Sequence, residues 1–418
     1  MRSTVRLAAF AAAVLWCAPS TAQVVGSVTP SHPLMTPQAL SEAEANFGQC
    51  LADLWPQAQR KGISRATYEW VMQSVQPDMS LFKLMDGQPE FERPIWWYVD
   101  TLVTESRIRQ GREMLALHKA TFDAIERQWG VDRYLITAIW GIESNFGTRE
   151  GMGGRDVVRS TASLACIGRR QTYFRDEFLA AVAILQRGDV PPEHMRGSWA
   201  GAFGMTQFMP TGYLRYAVDF DGDGHANLVD SVPDALASTA NRFRAEKWMT
   251  GQTWGYEVAL PAGFNFLLAD RSRRMSLAEW SRLGVRRVAG QMFPRPGDQA
   301  YLLLPAGAQG PAFLMLGNFR VIMRYNPAEA YALAIGHLAD RMRGGGPFVQ
   351  PWPREAQLLS RNERFELQML LLGFGYDIGQ PDGKIGGKTR EALRQVQAQL
   401  GLVPDGFPTA EVLGHIKR

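Results

Sequence analysis

The residues best suited to chemistry begin with one carboxyl in an apolar segment, Gly130-Val-Asp-Arg-Tyr-Leu-Ile-Thr-Ala-Ile-Trp-Gly-Ile-Glu-Ser-Asn-Phe-Gly147. Asp132 can cap the start of a helix, and Gly147 stands where a helix that has just ended takes a left-handed residue. Between them Leu135, Ile136, Ala138, Ile139, Trp140 and Ile142 are apolar nearly all round, the pattern of a helix enclosed by protein. Glu143 follows Ile136, Ile139 and Trp140 at helical spacing and shares their face. Its carboxyl is therefore expected at the floor of an apolar site, where desolvation favours the protonated form that a general acid needs. A Glu at the end of an arbitrary helix more often meets solvent or an arginine, so these residues alone leave Glu143 a candidate.

A second cluster is Asp219-Phe-Asp-Gly-Asp-Gly-His-Ala-Asn-Leu-Val-Asp230, which fits the twelve-residue EF-hand loop. Asp219, Asp221, Asp223 and Asn227 put oxygen donors at positions one, three, five and nine. Gly224 takes the sixth, His225 offers its carbonyl at the seventh, and Asp230 closes the loop. The departure is Asp230 where a bidentate Glu is usual, a shorter arm that should weaken Ca2+ binding. The competing reading is an acidic turn held by its own side chains. No reacting group adjoins the loop, so the ion is expected to be structural.

Three motifs carry a resemblance: Gly141-Ile-Glu-Ser-Asn-Phe-Gly147, Gly197-Ser-Trp-Ala-Gly-Ala-Phe-Gly-Met-Thr-Gln-Phe-Met-Pro210 and the acidic loop from Val218 to Asp230. In order and spacing they resemble the lytic murein transglycosylase B family, over most of the chain from about residue 40 to Asp340. The resemblance implies a lysozyme-like catalytic domain in which Glu143 is catalytic. It also implies a saccharide cleft lined by Ser144, Ser198, Gln207, the pair Arg169-Arg170, Asn318, Tyr325 and Asn326. The arginine pair departs from the family spacing by one residue. Ser198 and Gln207 supply uncharged hydrogen-bonding groups suited to sugar hydroxyls and acetamido groups, and by themselves would be ordinary loop residues.

Glycosidases usually employ two carboxyl groups, and no second acid is evident in the motifs near Glu143. One carboxyl suffices if the substrate supplies the nucleophile. Glu143 would protonate the oxygen bridging N-acetylmuramic acid and N-acetylglucosamine, then take the proton of the muramoyl C6 hydroxyl as that oxygen attacks C1. The 1,6-anhydromuramoyl product is what the resemblance implies. The alternatives are a muramidase that uses water on the same bond and a wall-binding protein without catalysis. Peptidoglycan glycan strands are the expected partner, with cell-wall synthases or amidases as possible protein companions.

At 418 residues and 46% apolar content the chain can build a large core and a satellite domain. The basic start Met1-Arg-Ser-Thr-Val-Arg6, the apolar run Leu7 to Trp16 and the small residues Ser20-Thr-Ala22 read as a signal peptide over residues 1–22. A periplasmic location follows as an expectation. Trp16 before Cys17 argues against lipid anchoring at that cysteine. No segment has the length of a transmembrane helix. Removing the leader takes the formal charge from 45 − 41 = +4 to 43 − 41 = +2, a balance that points away from nucleic acid. Cys50 and Cys166 remain, and an oxidising compartment allows a disulfide. The apolar surroundings of Cys166, Ala162-Ser-Leu-Ala-Cys-Ile167, favour a buried thiol instead.

The elements that must position these residues follow from pattern. Residues 23–40 lack periodicity and read as a disordered lead-in. Helical spacing runs through 41–75, with Ser64 as an N-cap, and returns from Trp96 to Leu117 and from Val232 to Trp248. The aromatics Trp96, Trp97 and Tyr98 are mostly core by expectation. Residues 256–325 change character: Glu257–Leu260, Ala300–Leu304, Ala312–Leu316 and Phe319–Met323 read as strands, with a short helix at 275–283. The fold expected is mainly α with a small α+β subdomain, a catalytic domain over 41–341. A Gly- and Pro-rich linker over 342–356 and a three-helix module over 357–418 complete it. From Gly373 to Leu393 that module resembles the small peptidoglycan-binding domain.

Overall fold

The computed structural model describes residues 32–85 and 93–418. The expected leader with Cys17, the first part of the lead-in and the start of the Gln88–Tyr98 segment lie outside them. The chain divides into two compact units, Met1–Gln88 with Glu105–Ala245, and Pro89–Thr104 with Glu246–Arg418.

The first unit is almost wholly helical. Four short helices open it, Pro37–Ala45, Phe47–Asp53, Trp55–Arg60 and Arg65–Ser74, the last capped by the Ser64 hydroxyl as its sequence predicts. The first of them begins inside the expected disordered lead-in. Thr36 accepts the Ala39 N–H and Pro37 occupies the first turn, a start signal that the irregular composition around it obscures. Longer helices follow: Glu105–Leu117, Lys119–Trp129, Arg133–Ser144, Val157–Cys166, Gln171–Arg187 and Val232–Ala245. Helix Val157–Cys166 is the most enclosed of these, with every residue but Arg159 buried. Two short strands, β1 (Arg155–Asp156) and β2 (Arg196–Gly197), pair antiparallel beside it.

One expectation is overturned here. Cys166 is bonded to Cys50, with 5.9 Å between their Cα atoms. The bridge joins helix Phe47–Asp53 to helix Val157–Cys166 across a sequence separation of 116 residues. Burial of a cysteine among apolar neighbours is common to thiols and bridges, so local sequence could not separate the two.

The second unit holds a five-stranded antiparallel sheet. Its strands β3 (Gly255–Ala259), β4 (Met275–Ser276), β5 (Arg286–Arg287), β6 (Gln299–Leu303) and β7 (Ala312–Met315) lie in the order β4-β6-β7-β3-β5. Val258, Leu302 and Leu314 meet Leu277 and Trp280 of the short helix Leu277–Arg282 in one apolar core. The fourth expected strand is a helix: Gly317–Tyr325 is α-helical and buries Asn318, Phe319, Val321 and Ile322. A short apolar run rich in Val and Ile fits both periods, and packing rather than propensity decides it. Helix Glu329–Arg343 follows and packs on helix Ile95–Leu102.

The segment beyond Arg343, expected as a linker, is fastened along its length. Phe348 stacks on His337 at 3.8 Å, and the Val349 and Gln350 N–H groups donate to the Glu257 carboxylate. Arg354 pairs with Asp100 at 2.7 Å. Helices Arg361–Gly373, Gly387–Gln399 and Ala410–Ile416 then close around Leu367, Leu371, Leu393, Val396 and Leu413. Ser360 and Glu363 form a reciprocal capping box at their start.

Closing so long a loop restricts the unfolded chain. Replacing Cys50 and Cys166 by serine should lower unfolding stability by roughly 2–5 kcal/mol, read as a drop in denaturation midpoint that reductant reproduces in the unmutated protein.

Candidate active site

Glu143 owes its position to a helix held at both ends. Asp132 accepts the Tyr134 N–H at 2.8 Å, and Arg133 is gripped by Asp123 and Glu126 of the preceding helix. Lys119 and Arg133 hold the Asp123 carboxyl at about 2. These carboxylates stand at the helix N-terminus, where the backbone dipole favours them. At the other end Asn145, Phe146 and Gly147 are all left-handed, φ 51°, 61° and 77°, so the helix stops two residues before the glycine expected to end it. The Phe146 ring folds back edge-on to Trp140, and His118 packs on the same indole at 5.6 Å. Burial pushes the His118 imidazole down from its ordinary value.

From Leu135 to Ser144 every side chain is buried except Glu143. Glu143 itself is half-buried. Ile136, Ile139 and Trp140, which share its helical face by spacing, are all 2% exposed or less.

Segment 197–210 is held by backbone bonds within itself and to the acidic loop. Phe203 and Phe208 exchange N–H···O=C bonds at 2.9 Å each, and the Met205 N–H donates to the Leu228 carbonyl. Gly204 has φ +78°, and a Cβ there would stand 2.7 Å from the Leu228 oxygen, so only glycine fits. Ser144 then joins helix to segment: its hydroxyl donates to the Met205 carbonyl and accepts the Gly147 N–H at 2.8 Å.

These contacts sort the predicted cleft residues. Ser144 is 1% exposed and its hydroxyl is engaged, so it braces the site and does not face a sugar. Gln207 is half-buried in a left-handed conformation, φ 50°. Its amide nitrogen donates to the Met152 and Gly204 carbonyls. Ser198 is partly exposed, and its hydroxyl accepts the Ala202 N–H at 3.1 Å. Arg169 donates to the Met85 carbonyl at 2.6 Å, whereas Arg170 is exposed over the Tyr173 ring. The last three belong to the second unit. Asn318 is fully buried, with its side chain spent on Met249 and Gln252, and is therefore structural. Tyr325 and Asn326 are partly exposed, and Asn326 caps the Ala328 N–H. Tyr331, expected in the core, is buried.

The acidic loop brings Asp219, Asp221 and Asp223 together: carboxylate oxygens of all three lie within 4.8 Å of one another at the surface. That donor set suits a hard cation. Asp230 departs from the expected set, since its carboxylate meets His194 at 2.9 Å and the Asn227 amide at 3.0 Å. Asp234, which sequence reading missed, sits behind the loop. It is fully buried and accepts the Phe220, Asp221 and Asn227 N–H groups. Burial pushes its carboxyl up, against the pull of those bonds. An acid in the first turn of a helix otherwise lined by Ala and Leu was its one visible signal.

Residues 46–340 match the family model described as the transglycosylase SLT domain. The chain belongs to that family. Residues 360–416 match a peptidoglycan binding domain. This SLT-domain protein is 30% identical over 299 residues, 67% of the chain and 79% of the relative, to membrane-bound lytic murein transglycosylase B of Escherichia coli (strain K12). It is 47% identical to SltB3 of Pseudomonas aeruginosa, solved with NAG-anhNAM-pentapeptide, over 89% of this chain and 99% of that one, with a TM-score of 0.84. The Escherichia coli lytic transglycosylase Slt35, solved in complex with calcium, matches at 27% identity over 76% and 98% of the two chains, TM-score 0.60. The SLT-domain protein is thus a peptidoglycan lytic transglycosylase with a lysozyme-like fold.

In this transglycosylase Ser144→Ala should cost about 1–3 kcal/mol, because the Met205 carbonyl and Gly147 N–H lose a buried partner. Urea denaturation measures that loss, and turnover should fall with it as Glu143 loses its brace.

Proposed function

We propose that Glu143 serves as both acid and base in cleaving the β-1,4 bond between N-acetylmuramic acid and N-acetylglucosamine. The observation that carries this is its emergence, alone among residues 135–144, from a buried helix. It stands at the helix C-terminus, whose partial negative charge disfavours the anion, as do the apolar residues below it. Both effects favour the protonated acid that the first step requires. Glu143 gives its proton to the bridging oxygen, so the N-acetylglucosamine side departs with a hydroxyl. The resulting carboxylate takes the proton of the muramoyl C6 hydroxyl as that oxygen bonds to C1. Glu143 is regenerated protonated, and the muramoyl end closes as a 1,6-anhydro sugar.

The fully buried or nearly buried acids of the same unit are committed elsewhere. Both Glu177 oxygens receive Thr211, Asp189 pairs with Arg187 at 2.8 Å, and Asp234 holds the loop. This supports chemistry with one carboxyl, the Gln207 oxygen and the Ser198 hydroxyl serving to orient the sugar. Tyr325 and Asn326 of the second unit are proposed sugar contacts in their own right.

We infer further that Asp219, Asp221 and Asp223, with the His225 carbonyl, hold Ca2+ as a structural ion. Asp230 joins only if its contact with His194 opens. The wider role is remodelling and turnover of the wall in the periplasm, in keeping with the leader expected from the sequence and with a disulfide that needs an oxidising compartment. Among the described residues no helix is long and apolar enough to cross a membrane.

Mass spectrometry of fragments released from purified sacculi tests the chemistry. Anhydromuramoyl ends are expected, and Glu143→Gln should reduce them by roughly 10²–10⁴-fold with folding intact. Reducing ends in their place would make the enzyme a hydrolase. For the ion, adding Ca2+ to chelator-stripped protein at about a hundred times its Kd should stabilise it by about 2.7 kcal/mol, read as a raised Tm. Asp219→Ala with Asp223→Ala should abolish the rise.

A further inference from the structure

Helix Pro210–Tyr216 begins without a cap of its own. Met209 stands at its N-cap in extended backbone, φ −69° and ψ 148°, and no side-chain oxygen there meets the first turn. Pro210 has no N–H, so Thr211 carries the first donor that the helix leaves unmet. A carboxylate 34 residues away meets it. One Glu177 oxygen accepts the Thr211 N–H at 2.9 Å, and the other accepts the Thr211 hydroxyl at 2.7 Å. Glu177 is only 2% exposed. Burying a carboxylate costs desolvation unless its bonds are complete, and a local hydroxyl at the N-cap would have satisfied the same N–H without that penalty. What the carboxylate adds is a tie. It belongs to helix Gln171–Arg187 and fastens that helix to the end of segment 197–210.

Each side of the tie carries one of the predicted sugar contacts. Tyr173 and Glu177 follow Arg170 by three and seven residues, the spacing of one helix face. Arg170 is left-handed, φ 64°, and its guanidinium lies 4.8 Å from the centre of the Tyr173 ring. The Tyr173 hydroxyl turns to Glu177, and burial together with that carboxylate pushes it up to about 12. The turn behind Arg170 is fixed as well, since the Gln171 amide donates to the Cys166 and Gly168 carbonyls. On the other side Gln207 stands one helical turn's length before Thr211, its amide held by Met152 and Gly204. Glu177 therefore reaches Arg170 through Tyr173 and Gln207 through Thr211.

We propose that Glu177 is a positioning residue of this transglycosylase, which sets the spacing between Arg170 and Gln207 so that both contact one bound glycan. The proposal rests on the reading of those two residues as sugar contacts and adds the group that holds them in register. Glu143 is braced by a separate set of bonds, through Ser144 to the Met205 carbonyl and the Gly147 N–H. Loss of the Glu177 carboxylate therefore weakens glycan binding and leaves the proton transfers at Glu143 in place.

The test is calorimetric titration of the full chain with a soluble tetrasaccharide of alternating N-acetylglucosamine and N-acetylmuramic acid, with Glu143→Gln present throughout to prevent turnover. Adding Glu177→Gln should raise Kd about tenfold, equivalent to one or two hydrogen bonds to sugar. With Glu143 intact, Glu177→Gln should raise KM by the same factor and leave kcat within about twofold. Glu177→Gln also removes a helix cap and should lower Tm. Met209→Ser, placed in backbone already suited to an N-cap, should restore Tm and leave Kd raised, because it caps the helix without tying it to Arg170. Unchanged Kd in Glu177→Gln, a fall in kcat at constant KM, or recovery of Kd along with Tm on adding Met209→Ser would overturn the proposal. The last result would make Glu177 a cap and nothing more. Absence of tetrasaccharide binding while Glu177 is intact would instead overturn the cleft reading, and the proposal with it.

Discussion

A buried carboxylate that must be satisfied organises the first unit. Asp234 has no solvent and takes three backbone N–H groups from the acidic loop, which fixes the loop's path. From there the constraint passes along the backbone. Leu228 accepts the Met205 N–H, Met205 accepts the Ser144 hydroxyl, and Ser144 caps the turn beyond Glu143. The surface cluster of Asp219, Asp221 and Asp223 and the catalytic candidate are thus the two ends of one hydrogen-bonded path. The proposed ion at the first end would act on the second by stiffening what lies between, without contributing to the reaction.

How much of this was legible depends on the range of the interaction. The Glu143 helix was readable because its period, its Asp132 cap and its apolar residues are all local. The acidic loop was readable because its donors are spaced within twelve residues. What failed was set by contacts far along the chain. Cys50 and Cys166 look the same bridged or free until a fold brings them together. Ser144 and Asn318 carry groups able to bind sugar, and only packing shows that Met205, Met249 and Gln252 have already claimed them. Phe319–Met323 has strand-like residues, yet its neighbours bury it as a helix. Asp234 is invisible for the same reason, since the backbone it serves lies up to fourteen residues away.

Strain marks the site more sharply than composition does. Of the six left-handed residues other than glycine among the described residues, Asn145, Phe146, Arg170 and Gln207 occur at or beside the predicted cleft. Each such residue costs about 1–3 kcal/mol and persists only where surrounding bonds over-determine it. At Gln207 those bonds are the two carbonyls that hold its amide, and at Phe146 the ring packing on Trp140. In the proposed reading the strain would set the Gln207 oxygen before substrate arrives, sparing binding energy that would otherwise order it.

The docking of the C-terminal module follows the same logic of fixed geometry. A flexible tether would raise the local concentration of glycan near the catalytic domain and leave its register free. Here the approach segment is held by Glu257, His337 and Asp100, and the module by Asp405 against Gly307. A module fixed to the sheet subdomain cannot search, and it holds a bound strand in one register on that subdomain. That suits an enzyme whose nucleophile is part of its substrate. With no water to place, the protein's main task is to hold the muramoyl ring so that its own C6 hydroxyl faces C1, and every rigid contact along the strand serves that alignment.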